Sequence, residues 1–427
     1  MHPTEVADIT AWVEDARTRT FDLISDLSDE QMLGPQLDIV NPLCWEIGHV
    51  AWFFEKWVIR EAAGCSPILE HSDKLYDSIA IAHDARWELP LPDRQGTIDY
   101  INQVLDTTLE IIDSELSPNV AYHTAYCVYH ADMHTEAFTY TRQTHELPHP
   151  ETSHRRHTPS GVAIEGDAKV PGGTFSLGAD RNAAFCFDNE KWAHEVKIKP
   201  FSISKTPVTQ AEYAAFCDDK GYSNDALWSM EGLAWKGENK VKGPVYWKKK
   251  GRKWTRRHFD AWIDLEPNLP VIHVNWYEAN AFCEWAGRRL PTEAEWETAA
   301  SLSSAEDITS PKRMYPWGIN PSSDTTHTDW AGGGTVDVGA YGDGDSATSC
   351  RQMIGNVWEW TSSVFRPYPG FAVDPYKEYS EPWFETRKVL RGGSWATRSR
   401  LLWNTWRNFM TPDRRDAFAG FRTCARK

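Results

Sequence analysis

No stretch of about 18 consecutive apolar residues occurs in the 427-residue chain, so no segment is expected to cross a membrane as a helix. Positive charge is also short. Forty-five Lys and Arg stand against 61 Asp and Glu, a net charge of −16, which argues against general nucleic-acid or anionic-membrane binding. No CxxC pair joins any of the eight cysteines (Cys44, Cys65, Cys127, Cys186, Cys217, Cys283, Cys350, Cys424). The first residues lack a basic-plus-apolar signal segment, so reduced thiols in a cytoplasmic protein are expected. What is abundant is tryptophan, 22 copies concentrated after residue 228, as in a loop-rich domain that packs flat aromatic surfaces. The length calls for two domains.

Chemistry concentrates in His130-Ala131-Asp132-Met133-His134-Thr135-Glu136. Four helical residues turn through about 400°, which leaves two imidazoles one turn apart on one face, half of a metal site. Ser117-Pro118 is a cap followed by proline in the first turn, and the helical pattern runs to Arg142. Asn41-Pro42 opens a second apolar helix that carries His49. Three neutral imidazoles without a carboxylate or thiolate suit a divalent first-row metal with open positions for substrate and oxygen. HxxxH also arises on helices by chance, and a structural pair is the plain alternative. His123, seven residues before His130, lies within about 20° of its face and reads as lining or supporting the site. Glu136, about 200° from His134, points elsewhere.

Helical spacing over residues 4–27 (Val6, Ile9, Trp12, Val13, Ala16), 42–63, 97–116 and 118–142 predicts a four-helix bundle over 1–145, with a short turn at Ser28-Asp29-Glu30-Gln31. Residues 146–168 lack an apolar period and read as a linker, with His145, His149, His154 and His157 solvated. From 169 to 427 the texture changes to short strands, turns and aromatics, including helices at Gln210–Asp218 and Trp276–Ala286 and a capping box at Thr292 and Glu295. The fold class is α+β, helical half first. The basic run from Trp247 to His258 has Gly251 at a turn and reads as a solvated hairpin, with a nucleic-acid patch as the sharper alternative.

The motifs PGGTF at 171–175, KTPVT at 205–209, PVIHVNWYEA at 270–279, RRLPTEAEWE at 288–297, GNVWEW at 355–360, RGGSW at 391–395 and AGFR at 419–422 resemble the formylglycine-generating-enzyme (sulfatase-modifying factor) fold, of the C-type-lectin kind. Those enzymes use a cysteine pair near the C-terminus to bind copper. The corresponding stretch Leu402–Asn408 has none, so formylglycine formation is not expected. The first half resembles a DinB-like bundle with a histidine triad, and the combination is similar to the ergothioneine-type sulfoxide synthases. That resemblance implies non-haem Fe(II) on His49, His130 and His134, with hercynine, oxygen and a sulfur or selenium donor as substrates. It also implies Tyr376 as the catalytic tyrosine that supplies a proton or electron, and Tyr379 in contact with hercynine. Trp406, Asn408 and Phe409 supply aromatic and polar surface for the trimethylammonium group. Two packed tyrosines with solvent-facing hydroxyls are the alternative.

Relatives that use γ-glutamylcysteine carry, after Arg-Asn-aromatic, an aspartate for the donor's amino group and then an arginine for its carboxylate. Here Met410 stands at the first of these positions and Arg414 remains at the second. A thioether cannot replace a carboxylate opposite an ammonium. The resemblance is therefore closest to the selenoneine synthase branch, whose donor is a selenosugar. A thiol donor (cysteine or γ-glutamylcysteine) is the alternative, and a non-catalytic lectin-like binding module is the alternative of another class. The loop Gln352–Glu359 matches one that offers calcium its oxygen atoms in the parent fold, with Gly355, Val357 and Glu359 as donors for a structural Ca(II). An aromatic turn in which Glu359 pairs with an arginine is the competing expectation.

Overall fold

The computed structural model describes residues 6–153, 155–162 and 164–426, with side chains from Asp8. Residues 4 and 5 of the first expected helix, the side chain of Val6, and His154 lie outside the described residues. The chain divides into two compact units, Met1–Ser153 and His154–Lys427.

The first unit is helical. Its elements are α1 (Val6–Asp22), α2 (Asp29–Leu33), α3 (Leu43–Phe54), α4 (Ser72–Tyr76), α5 (Arg94–Ser114) and α6 (Pro118–Thr144). Side-chain caps fix the starts of three of them. Ser28 and Gln31 form a reciprocal capping box on α2, Asp93 accepts from the Gly96 amide at α5, and Ser117 accepts from Val120 at α6 behind Pro118. α1 and α3 each pack against both α5 and α6, the arrangement of a four-helix bundle. α3 is buried almost all round, since every residue of it except Cys44 is covered. The sequence predicts one α-helix to residue 63, but from Glu55 to Ala62 the backbone winds as a π-helix. The wider winding resets the inward face to Glu55, Val58 and Ile59. His145 is not solvated. Both its ring nitrogens are buried without a hydrogen bond, and it lies so close to Gly34 that a Cβ there would fall 2.5 Å from its ring. All eight cysteines are free thiols, and only Cys65 is exposed; Cys127 is buried with its Sγ 3.5 Å from the Phe53 carbonyl. Among the described residues no helix is long and apolar enough to cross a membrane.

The second unit is mixed and short-stranded. Its strands are β1 (Asp167–Val170), β2 (Gly173–Leu177), β3 (His194–Ile198), β4 (Phe201–Ser204), β5 (Trp247–Lys250), β6 (Lys253–His258), β7 (Ala261–Asp264), β8 (Arg288–Arg289), β9 (Trp358–Val364), β10 (Lys388–Arg391), β11 (Asn408–Met410), β12 (Ala419–Gly420) and β13 (Cys424–Ala425). They form sheets in the orders β1-β4-β13-β8, β11-β10-β9-β12, β2-β3 and β5-β6-β7. The helices are α7 (Gln210–Asp218), α8 (Met230–Glu238), α9 (Trp276–Trp285) and α10 (Glu293–Ser301), and capping boxes start three of them, at Thr209, Asn275 and Thr292. Trp296, Trp358, Trp360 and Trp395 are fully buried, so these tryptophans are core, whereas Trp262 and Trp383 are exposed. The basic run is the hairpin β5-β6 with a third strand, β7, added. Lys248 lies 3.8 Å from the Trp262 ring, Lys249 pairs with Asp218, and Arg256 reaches Glu266 at 2.7 Å. Those cations are spent within the fold. Within the expected linker, the Arg156 amide donates to the Ala331 carbonyl and the Gly161 amide to Asp337, so this segment is hydrogen-bonded onto the second unit.

Candidate metal centre

Three helical residues of the first unit converge: His49 from α3, and His130 and His134 one turn apart on α6. One ring nitrogen from each lies within 4.8 Å of the others. The ring centroids form a near-equilateral triangle of 5.1, 5.0 and 4.5 Å, with planes inclined to one another at 64°, 70° and 61°. The walls are aromatic. Phe53 stacks on His130 at 3.7 Å and Trp45 on His49 at 5.0 Å, with the Arg86 guanidinium on the Trp45 ring at 4.1 Å.

The hydrogen bonds decide which nitrogens face inward. His49 Nδ1 lies 2.8 Å from the Tyr76 carbonyl and His134 Nδ1 lies 2.6 Å from Glu46 Oε1. Both partners are acceptors, so each Nδ1 carries the proton and each Nε2 keeps its lone pair. His134 Nε2 and His130 Nε2 are 3.2 Å apart. Two lone pairs at that separation repel unless a proton or a cation lies between them. Burial, then the charge of His134, holds the His49 pKa well below its usual value, and burial with the neighbouring imidazoles does the same for His130. Both therefore stay neutral, the form that ligates a metal. The donor set fits a divalent first-row cation with open positions.

His123 is not part of this group. It stacks on Trp57 at 5.9 Å and its Nδ1 lies 2.9 Å from the Asn119 carbonyl; it shares the face of His130, but seven residues of helix set it about 10 Å further along the axis, beyond reach of the triad. Glu46 and Tyr76 belong to no motif in the sequence. Glu46 carries a signal, since it stands three before His49 and so shares its helix face. Tyr76 acts through a backbone carbonyl, for which side-chain type is no guide.

In the second unit the expected residues are partly assembled. Half-buried Tyr379 stacks on Phe187 at 4.9 Å and meets Phe409 edge-on at 6.0 Å, and Trp406 lies 6.2 Å from Phe187. Phe187, in a loop without periodicity, joins them. Tyr376 precedes Tyr379 by one turn and accepts the Tyr379 amide at 3.2 Å. Four of the expected residues already carry contacts within the fold. Phe409 has a face covered by Phe365 at 4.1 Å, and Trp406 is buried with Trp358 at 5.0 Å, so neither is an open aromatic surface in this arrangement. Asn408 Oδ1 accepts from the Phe409 amide at 2.8 Å, turned to its own backbone. Arg414 is held by both oxygens of Asp416, at 2.5 and 2.8 Å. Met410 pairs with Lys388 across the β11-β10 ladder, while Phe409 pairs with Val389, so the pleat places Met410 and Phe409 on opposite faces. The cross-strand neighbour of Met410 is thus a cation, whose Nζ lies 4.0 Å from the Trp276 ring.

The calcium expectation meets a filled site. Glu359 is fully buried and accepts from Arg422 Nε at 2.6 Å, Arg422 Nη2 at 2.7 Å and Trp296 Nε1 at 2.7 Å. The arginine alternative is the one the side chains adopt, because a guanidinium already neutralises the carboxylate that Ca(II) would need. Gly355 has a left-handed φ of 83°, and its carbonyl accepts from the Val357 amide at 2.9 Å, so this turn closes on itself.

Comparison with known proteins agrees with both units. Residues 13–156 match the DinB superfamily, and residues 154–427 match the sulfatase-modifying factor enzyme 1-like domain. The chain is 34% identical to a hercynine oxygenase of Mycolicibacterium smegmatis, over 95% of this chain and 96% of that protein. It is 35% identical to a hercynine oxygenase of Mycobacterium tuberculosis, over 95% and 96%. A formylglycine-generating enzyme of Streptomyces coelicolor is 33% identical over 62% of this chain and 90% of its own length. With both domains present in one order and the similarity running nearly end to end, the chain belongs to the hercynine oxygenase family.

Proposed function

We propose that the protein is an Fe(II)- and oxygen-dependent synthase that joins a chalcogen donor to C2 of the hercynine imidazole. The observation that carries this reading is the triad, with Nδ1 of His49 and His134 satisfied by acceptors and Nε2 left for the metal. Coupling a C–H to an S–H or Se–H removes two electrons, and oxidation at the chalcogen removes two more, which matches the four-electron capacity of oxygen. Iron, when bound, supplies the redox partner that oxygen requires. His49, His130 and His134 hold it, and the buried aromatic walls of Phe53 and Trp45 cover the His130 and His49 rings. In the second unit Tyr376 is the proposed catalytic tyrosine and Tyr379, Trp406, Asn408 and Phe409 the proposed hercynine contacts, which requires the Phe409 and Trp406 packing to open on binding. We further propose a cytoplasmic setting, which eight free thiols support, and a division into a bundle over 1–145, a linker over 146–168 and a mixed domain over 169–427.

For the donor, the reading is a selenosugar in preference to a thiol. Two features support it: Met410 has Lys388 as its cross-strand partner and no carboxylate for an α-ammonium, and Arg414 is engaged bidentately by Asp416. A donor with neither an α-amino nor an α-carboxylate group needs neither contact. The test is to load the protein with Fe(II) anaerobically, admit air with hercynine and, separately, selenosugar, γ-glutamylcysteine or cysteine, and follow product mass. Selenosugar coupling is expected. Efficient coupling of γ-glutamylcysteine with none of the selenosugar overturns the donor assignment, and His130→Ala with full iron stoichiometry overturns the metal site.

A further inference from the structure

We infer that Glu46 is a positioning residue: its carboxylate locks the His134 imidazole in one tautomer and one rotation and makes it a more electron-rich ligand than His49. The inference rests on the reading that the triad holds a metal. His49 and His134 are backed by different chemistry. Behind His49 stands a neutral carbonyl at 2.8 Å, and behind His134 a carboxylate oxygen at 2.6 Å. Glu46 belongs to α3 and His134 to α6, so this hydrogen bond ties together the two helices that supply the ligands. A carboxylate only accepts, so Nδ1–H donates and the Nε2 lone pair gains the electron density pushed through the ring.

Glu46 is 2% exposed, its Oε2 has no hydrogen-bond partner, and among the described residues its ion-pair contact is His134. A buried carboxylate so sparsely satisfied is a poor stabiliser, and an apolar side chain of the same size would pack there at less cost. What offsets it is a dication on the far side of the His134 ring. Nothing comparable backs His49, so the triad is electronically uneven, and removing Glu46 weakens one ligand out of three.

The test uses the full chain as wild type, Glu46→Gln and Glu46→Ala, titrated anaerobically with Co(II) and followed by its visible d–d absorption, beside thermal melting of the metal-free proteins. Glu46→Ala is expected to weaken Co(II) binding about 10–100-fold. Glu46→Gln is expected to weaken it less, because the amide oxygen still accepts from Nδ1–H but carries no charge, and both variants should show a shifted d–d spectrum. A residue that merely packs would move the metal-free melting temperature and leave the spectrum alone. Wild-type affinity with a wild-type spectrum in Glu46→Gln overturns the inference, and that variant decides the matter by itself if Glu46→Ala does not fold. A wild-type protein that takes up no Co(II) overturns the metal reading instead.

Discussion

A Cβ placed on Gly48 would lie 2.2 Å from Tyr76 Cε1 and 2.4 Å from its Cζ. The Tyr76 ring cannot step aside, because it is fully buried and stacked on Tyr100 at 5.8 Å. The same tyrosine supplies the carbonyl that holds His49. Gly48→Ala is therefore expected to cost about 1–3 kcal/mol through overpacking and to loosen metal binding through His49. Urea denaturation of the metal-free protein and a metal titration of the folded variant measure the two effects separately; unchanged values in both would contradict the coupling. Residue by residue, the histidine pair was legible because a spacing of four has a fixed meaning on a helix, and His49 because its helix begins directly after Pro42, although the expected cap, Asn41, accepts from Arg86 instead of capping it. The partners were harder to read. Arg414 is separated from Asp416 by one residue, a pairing that depends on a turn conformation composition does not fix.

Elements were legible where local chemistry decides them. Thr209, Asn275 and Thr292 each stand three residues before a glutamate, and each starts a helix through a capping box. The π-wound stretch after Phe54 was not legible, because its apolar spacing also fits an α-helix. Its first residue, Glu55, is fully buried and receives the amides of Ile68 and Leu69 at 3.1 Å, Ser72 Oγ at 2.6 Å and the Tyr100 hydroxyl at 3.2 Å. These bonds anchor the segment that leads into α4 and Tyr76. Glu55→Ala leaves two buried hydroxyls and two part-buried amides without this partner, and a loss of roughly 3–5 kcal/mol is expected by analogy with breaking other buried charged networks. The denaturation midpoint of the first unit, followed by far-ultraviolet circular dichroism, checks this.

At the scale of the whole molecule the order of helical and mixed halves was legible from texture, whereas sheet order was not, since strands as short as β8, β12 and β13 carry two residues of pattern each. Charge behaviour across the molecule has two opposed signs. Burial, reinforced by the nearby Asp374, pushes the Asp188 carboxyl from 3.8 up to about 6. The folded protein then binds a proton that the unfolded chain has released, so this group's stabilisation is complete below about pH 4 and is lost as pH rises through about 6, on the order of 3 kcal/mol. Glu297 runs the other way. Burial would raise its pKa, but Lys312 and Arg391 overcome that and hold it below the usual glutamate range. Its contribution is present above about pH 4.5 and lost as pH falls through its lowered folded-state value. Asp188→Asn should flatten the slope of stability between about pH 4 and 6 and leave acid unfolding in place. Chemical denaturation across that interval would show an unaltered slope if Asp188 did not titrate there.

The scattered thiols offer something different again: a built-in record of transient opening. Cys65 is exposed and should react at once with an alkylating reagent, whereas Cys127 in the first unit and Cys283, Cys350 and Cys424 in the second are buried. Burial also raises the pKa of the Cys127 and Cys350 thiols, so in the closed protein they are both hidden and protonated. Each buried sulfur can be alkylated only during the moments when its own unit loosens. Pulsed alkylation read by peptide mass therefore times the breathing of the two halves independently in one sample. If metal occupancy rigidifies the bundle, Cys127 should become slower to label on loading, while Cys283, Cys350 and Cys424 keep their own pace.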